Sequence, residues 1–226
     1  ATNGEIDVTT GGQTLTIGTT GIANAGTLTI GGAGNTTVSS AITGAGGVTK
    51  KDAGTLTLSG VNTYSGATAI NGGVVKIGAA SGLGDASATN TISFNTGTLE
   101  STAGLTLVAN RAITLAGAGT LQSDAGTLTV AGTVTNGANL LTVTGDGNTT
   151  ISGVIGNGAG GLTKTGAGTL TLSGDNTYTG VTTMTAGTVS VGTIGNGGVA
   201  GNLGKAAAAA TNLVLDGGIL SYTGAT

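Results

Sequence analysis

A long string is written twice in this chain, and a string written twice must have a structure that can be used twice. Residues 44–78, "GAGGVTKKDAGTLTLSGVNTYSGATAINGGVVKIG", align without a gap with residues 158–192 at an offset of 114, with 22 of 35 positions identical. The match extends upstream, where "GNTTVSSAI" (34–42) pairs with "GNTTISGVI" (147–155) and "QTLTIG" (13–18) with "GTLTVA" (126–131). It extends downstream too, from "SGLGDASATN" (81–90) to "GNLGKAAAAATN" (201–212) after a short insertion. The 226 residues are therefore about two super-repeats, about 1–113 and 114–226. Self-similarity of this kind points to units that bury their apolar faces against one another rather than to one centre.

A shorter rhythm runs inside each unit. Strand-like runs recur at 14–17, 27–30, 55–58, 74–77, 105–107, 113–115, 127–130, 169–172 and 188–191, most of them separated by Gly, Asn, Ser or Asp. Thr and an aliphatic residue alternate with period two, the pattern of a strand with one buried face. In "TLTL" at 55–58, Leu56 and Leu58 point one way and Thr55 and Thr57 the other. Thr is β-branched, suits the pleated backbone and tolerates water. No stretch keeps a 3.6-residue apolar period, and interior Gly costs a helix about 1 kcal/mol each. Ala206–Ala210 is the only helix-friendly run and reads as a loop or a single turn.

Composition selects among the all-β architectures. There are 48 Gly, only 7% charged residues, three Tyr, one Phe and no Trp, Pro, Cys or His. Disorder is rejected, because disordered chains are poor in aliphatics and rich in charge and Pro, whereas here mean hydropathy is positive. So few bulky side chains fit a thin core of Leu, Val, Ile and Ala. The expectation is a β-solenoid in one continuous segment over 1–226. Coils stack about 4.8 Å apart through backbone hydrogen bonds. At about 20 residues a coil the chain makes roughly 11 coils and a rod of about 50 Å. A pair of β-sandwiches is the runner-up; it would need a linker between the units, and none is visible.

Composition also excludes functions. Without Cys there is no disulfide and no thiolate metal site. Six Lys+Arg in a chain of net charge −3 argue against a nucleic-acid surface, which needs clustered cations. No apolar run approaches the ~18 residues of a membrane-spanning helix. No signal peptide is visible, so for a secreted protein it would lie outside this sequence.

The stretch "GLTKTGAGTLTLSGDNTYTGVTTMTAGTVSVG" (161–192) resembles the autotransporter-associated β-strand repeat, also called the passenger-associated transport repeat. The shared features are Gly-Leu/Val-Thr-Lys, Gly-Thr-Leu-Thr-Leu-Ser-Gly, Asn-Thr-Tyr-Ser/Thr-Gly and a closing Gly-x-Val strand, present in both copies. The motif covers the two copies of the duplicated string directly and leaves the segments between them to read as spacer coils. The resemblance implies a right-handed parallel β-helix in a type V secretion passenger, placed outside the cell or on a bacterial cell surface. It implies an outer-membrane translocator as partner during export, and a repeat that helps the passenger fold. No translocator barrel is present in this sequence.

The duplication also tests candidate sites, since a site used by every module should recur. Asp52 faces Gly166, Asp85 faces Lys205, Glu100 faces Ser221 and Asp175 faces Val61, so most charges are not kept and read as solvated surface. Lys50 and Lys164 do recur, each one residue after a Thr. They read as structural, the stem along a coil and the head in water, with contact to an anionic glycan as the alternative. Asn62 and Asn176, and Tyr64 and Tyr178, recur in "NTY". They read as a corner that clips one coil to the next, with a sugar-stacking platform as the alternative.

No catalytic, metal or cofactor-binding residue is expected. General-base chemistry without His or Cys falls to carboxylates or Lys. Glycoside cleavage needs two carboxylates roughly 5–9.5 Å apart; Glu5 and Asp7 share a strand face but read as surface charge. Arg111 is the only Arg and has no acidic cluster in sequence near it. The Ca²⁺-binding Gly-rich nonapeptide fails at "GGAGNTT" (31–37), which has no acid where one belongs. Phosphate-cradling loops need a helix after the Gly-rich turn, and none follows.

The expected role is a structural stalk or spacer of a secreted or surface-anchored passenger. The alternative is an adhesive module that binds glycans or neighbouring copies, and the least favoured is a carbohydrate-active enzyme. Expected partners are further solenoid repeats or copies, end to end or laterally, and surface glycans; no nucleic acid is expected. The phase of the repeat, with "GGILSYTGAT" (217–226) aligning to "TGTLESTAG" (96–104), leads us to expect a slice of a longer array with an open coil at each end.

Overall fold

The chain winds as a three-sided right-handed parallel β-helix, described by a computed structural model over residues 2–156 and 158–224. The chain passes, in order, over a first, a second and a third side in each turn, and most passes form a strand. The first side is an eight-stranded sheet running from Gly4–Asp7 to Ile155–Gly156. The second has ten strands, from Thr14–Ile17 to Leu213–Leu215. On the third, Ile22–Ala23 pairs with Ile42–Thr43, and further on six strands stack from Leu105–Leu107 to Ile219–Tyr222. Every strand pairing is parallel, as one strand per turn per side requires.

The solenoid has about nine turns, fewer than the roughly 11 the repeat length suggests. The reason is loop length. Short turns carry Leu28 to Val48 and Ile113 to Val134 on the first side. Longer ones carry Thr68 to Ile92, and on the second side Thr182 to Leu213. The loops at 79–91 and 192–212 take up chain without adding turns. Nine steps give a rod of about 43 Å.

Alternation decides the core. In Thr55–Leu58 and Thr169–Leu172 the Leu side chains are buried and the Thr side chains half-exposed. Inward residues stack in columns along the axis. On the second side Leu56, Val75, Leu99, Leu121 and Val143 follow one another by ladder register, all 0–1% exposed. Each contributes roughly 1.5–3 kcal/mol on burial, and none could be buried by a single turn. Gly permits the close approach of turns at the corners: a Cβ on Gly168 would stand 1.9 Å from the Gly147 carbonyl oxygen of the turn before.

The two copies do not sit one above the other. Val48–Lys50 is on the first side and Thr55–Leu58 on the second; their counterparts Leu162–Lys164 and Thr169–Leu172 are on the second and third. The ladder of the first side runs from Val48 through Thr68, Ile92, Ile113 and Val134 to Ile155, five whole turns. The repeat offset carries Val48 beyond Ile155 to Leu162, which lies one side further round. The second copy is therefore rotated by one side of the three-sided prism.

Candidate functional site

Lys50 and Lys164 are not at the surface. Val48, Thr49 and Lys50 alternate buried, half-buried, buried, and register places Lys50 in the core column between Ile30 and Ile70. Lys164 lies between Val143 and Met184 in the same way. The residues are 1% and 2% exposed. The sequence reading of a head in water is thus corrected: the ammonium turns back on the corner that follows its own strand. Lys50 Nζ donates to the carbonyl of Lys51 and, at 2.7 Å, to that of Asp52. Lys164 Nζ donates to the Thr165 carbonyl and, at 2.8 Å, to that of Gly166.

The next turn closes over each ammonium with a glycine at positive φ, Gly73 (φ 59°) and Gly187 (φ 66°), where a Cβ would come within 2.9 and 2.8 Å of Nζ. Burial lowers the pKa of both lysines; Asp52 and Asp7 oppose this at Lys50. The buried charge is tolerated because corner carbonyls, otherwise short of donors, receive it.

The "NTY" corners reach both neighbouring turns. Asn62 Oδ1 accepts the Ile42 N–H at 2.8 Å from the turn before, and its Nδ2 donates to the Gly82 carbonyl at 2.6 Å in the turn after. Asn176 repeats this with Ile155 N at 2.7 Å and the Asn202 carbonyl at 2.6 Å. Tyr64 and Tyr178 are 0% exposed, so their rings are closed to a sugar. Their hydroxyls bond the Thr68 and Thr182 hydroxyls at 2.7 Å. Asn62→Ala is expected to lower stability by about 3 kcal/mol, because a buried donor and a buried acceptor are both left unpaired. Urea unfolding measures this, and a change below about 0.5 kcal/mol would reject a clip that holds three turns.

Other structural polar residues were missed in the sequence. Asn202 is 3% exposed; its Oδ1 accepts from Gly192 and Thr193 and its Nδ2 donates to Gly174, closing the neck of the 193–201 excursion. Asn90 is buried and donates to the Tyr64 and Gly66 carbonyls. Both are Asn residues of the aligned "GLGDASATN" and "GNLGKAAAAATN" segments, yet Asn202 aligns with Gly82, so recurrence gave no signal for it. Arg111 is 1% exposed and donates to the Leu83 carbonyl at 2.8 Å and the Gly84 carbonyl at 3.5 Å.

The acidic residues stand apart from one another or are paired with lysine among the described residues. Glu5 and Asp7 do share a face, and Lys51 sits against them: its Nζ is 2.5 Å from Glu5 Oε1, 3.9 Å from Asp7 Oδ2 and 3.8 Å from Asp52 Oδ2. That places a cation where a water or glycosidic oxygen would have to enter. Glu100 is held up in pKa by burial and by Asp124, with Lys76, its ion-pair partner, opposing. A cavity of about 260 Å³ beside Arg111 is lined by Ser81, Asp85, Thr106 and Val108 and holds one carboxylate. Among the described residues no group of three or more acidic, His or Cys side chains could hold a metal.

The Lys clip and the "NTY" clip occupy one continuous piece of chain in each copy. Val48–Lys50 pairs with Thr68–Ile70 and Thr55–Leu58 with Val74–Ile77; Leu162–Lys164 pairs with Thr182–Met184 and Thr169–Leu172 with Thr188–Val191. Each piece thus forms two ladders entirely within itself. These are the residues, 48–77 and 162–191, that match the passenger-associated transport repeat. The chain is also similar to an adhesin, the BmaC autotransporter of Brucella suis biovar 1 (strain 1330), at 49% identity over 53 residues. That match covers 24% of this chain and spans 2% of the relative's length. No solved structure matches the chain.

Proposed function

We propose that this chain, which carries two passenger-associated transport repeats, is a stalk or spacer segment of an autotransporter-like passenger at a bacterial cell surface, with no enzymatic activity of its own. The observation that carries this reading is the second side, where ten strands stack in one ladder past both repeats. A rod held by continuous backbone ladders transmits position and force along its axis and leaves recognition to whatever it displays. Each repeat supports this role as a self-pairing unit, because it makes two ladders before any later residue is needed. A chain that leaves the cell as an unfolded thread gains from units whose contacts are close in sequence. In this reading the translocator is the partner during export, and further solenoid repeats or copies meet the turns whose Leu15, Leu215 and Ile219 are exposed.

The test is made in the parent polypeptide on the cell surface. Inserting one more super-repeat should extend the reach of the displayed region by about 26 Å, five and one-third steps of the ladder. Adherence per displayed molecule should be unchanged. If removing or adding a copy changes adherence but not reach, the chain is the adhesive module and not the spacer.

A further inference from the structure

The strands of the third side carry no charged residue, whereas the first side has Glu5 and Asp7 and the second Lys76 and Glu100 beside threonine columns of their own. One outward column on its six strands reads Thr106, Thr129, Thr150, Thr171, Ser190 and Ser221, each the ladder partner of the next. A parallel column holds Thr127 against Asn148 and Thr169 against Thr188, and Asn148 Oδ1 accepts the Thr169 N–H at 2.9 Å. Neither column carries a charge or an aromatic ring. Beneath them Leu128, Leu170 and Val189 are fully buried, so the hydroxyls stand on a packed base. Thr side chains are stiff at χ1. The result is a grid of fixed hydroxyls and methyls, repeating about 4.8 Å along the axis and about 6.7 Å across it.

The internal duplication shows that this neutrality is not inherited. Because the second copy is rotated by one side, its third side corresponds to the second side of the first copy. There the same column contains the Lys76–Glu100 ion pair; the corresponding residues of the third side are Ser190 and Ser221. Two hydroxyls stand in one copy where the other has two charges, and the third-side column is uncharged from Thr106 to Ser221.

We propose that the third side is an ice-binding face, its partner the lattice of solid water. Within the two columns a sugar ring meets no aromatic face, Tyr222 standing apart at the end of the last strand, and an ionic glycan meets no charge. Solid water presents a flat, neutral, two-dimensionally repeating array of donors and acceptors. A Thr or Ser hydroxyl both donates and accepts and can stand in for a lattice water. The ladder fixes the grid beforehand, so little ordering remains to oppose binding. This use of the third side is independent of the stalk reading.

The test grows a seed crystal slowly in a solution of the 226-residue chain and measures protein in the ice fraction and arrest of crystal growth below the melting point. The chain should enter the ice and facet the crystal. Thr150→Lys and Thr171→Lys should lose both effects at unchanged melting temperature, while Thr37→Lys, on the second side, should keep them. Exclusion of the unsubstituted chain from ice overturns the proposal whether or not the variants fold. So does retention by the third-side variants, and so does binding to a neutral glycan surface without binding to ice.

Discussion

Leu170→Asp should destabilise the chain by at least ~4 kcal/mol, and Thr171→Asp, one residue on, by less than ~0.5 kcal/mol. The contrast follows from a single peptide step. Leu170 is 0% exposed, in register with Thr149 below and Val189 above. A carboxylate there loses the packing of an aliphatic side chain and finds no cation in the column, where the Thr149 hydroxyl is the one polar neighbour in register. Thr171 points outward between Thr150 and Ser190, where a carboxylate keeps its water. Chemical denaturation of both variants at neutral pH measures the difference. Equal losses would mean that the strand is not held in one register, and the three-sided solenoid would have to be abandoned.

Alkaline pH should unfold the chain through two tyrosines. Burial pushes Tyr64 and Tyr178 up to about 12 from an ordinary value near 10. Both phenols therefore stay protonated in the fold after those of the unfolded chain have ionised. Their contribution is complete below pH 10 and is lost as pH rises from about 10 to 12. At 1.36 kcal/mol per unit for each phenol, the loss is about 5 kcal/mol. Lys50 and Lys164 act in the opposite sense: their folded values are lowered, so raising pH towards 10.5 removes the penalty of two buried charges. The net decline should thus be steepest above about pH 10.5. Urea midpoints between pH 9 and 12 measure it, and Tyr178→Phe should remove about half of the slope at a cost near ~1 kcal/mol at pH 8 for the lost Thr182 bond. An unchanged slope in that variant would show that other groups drive alkaline unfolding.

Much of the fold is legible where alternation is long enough to see. Thr55–Leu58, Thr127–Val130 and Thr169–Leu172 stand where the Thr–aliphatic pattern puts them, and Val74–Ile77 where its aliphatic run does. Thr68–Ile70, Ile92–Phe94 and Gly119–Ser123 were not evident. They are short, and what makes them strands is the neighbouring turn they pair with. At Lys50 the signal was present and was overridden. Strict alternation from Val48 puts Lys50 inside, but a lone cation is normally assigned to water. The carbonyls of Lys51 and Asp52 that receive it become visible only when the corner is folded.

The sequence by itself determined the repeat and the period-two burial: a Gly-rich chain in which Thr and aliphatic residues alternate buries one face of each strand and stacks turn on turn. Tertiary structure decided which side each residue faces. A strand's parity is local and can be read from its own few residues. Its place around the axis depends on the summed length of every turn before it, and turns here range from the short step Thr55↔Val74 to the long one Thr182↔Leu213. That sum turns the second copy by one side. The same string "TLTL" therefore faces out on the second side at residue 55 and on the third at residue 169, where its threonines join an uncharged grid.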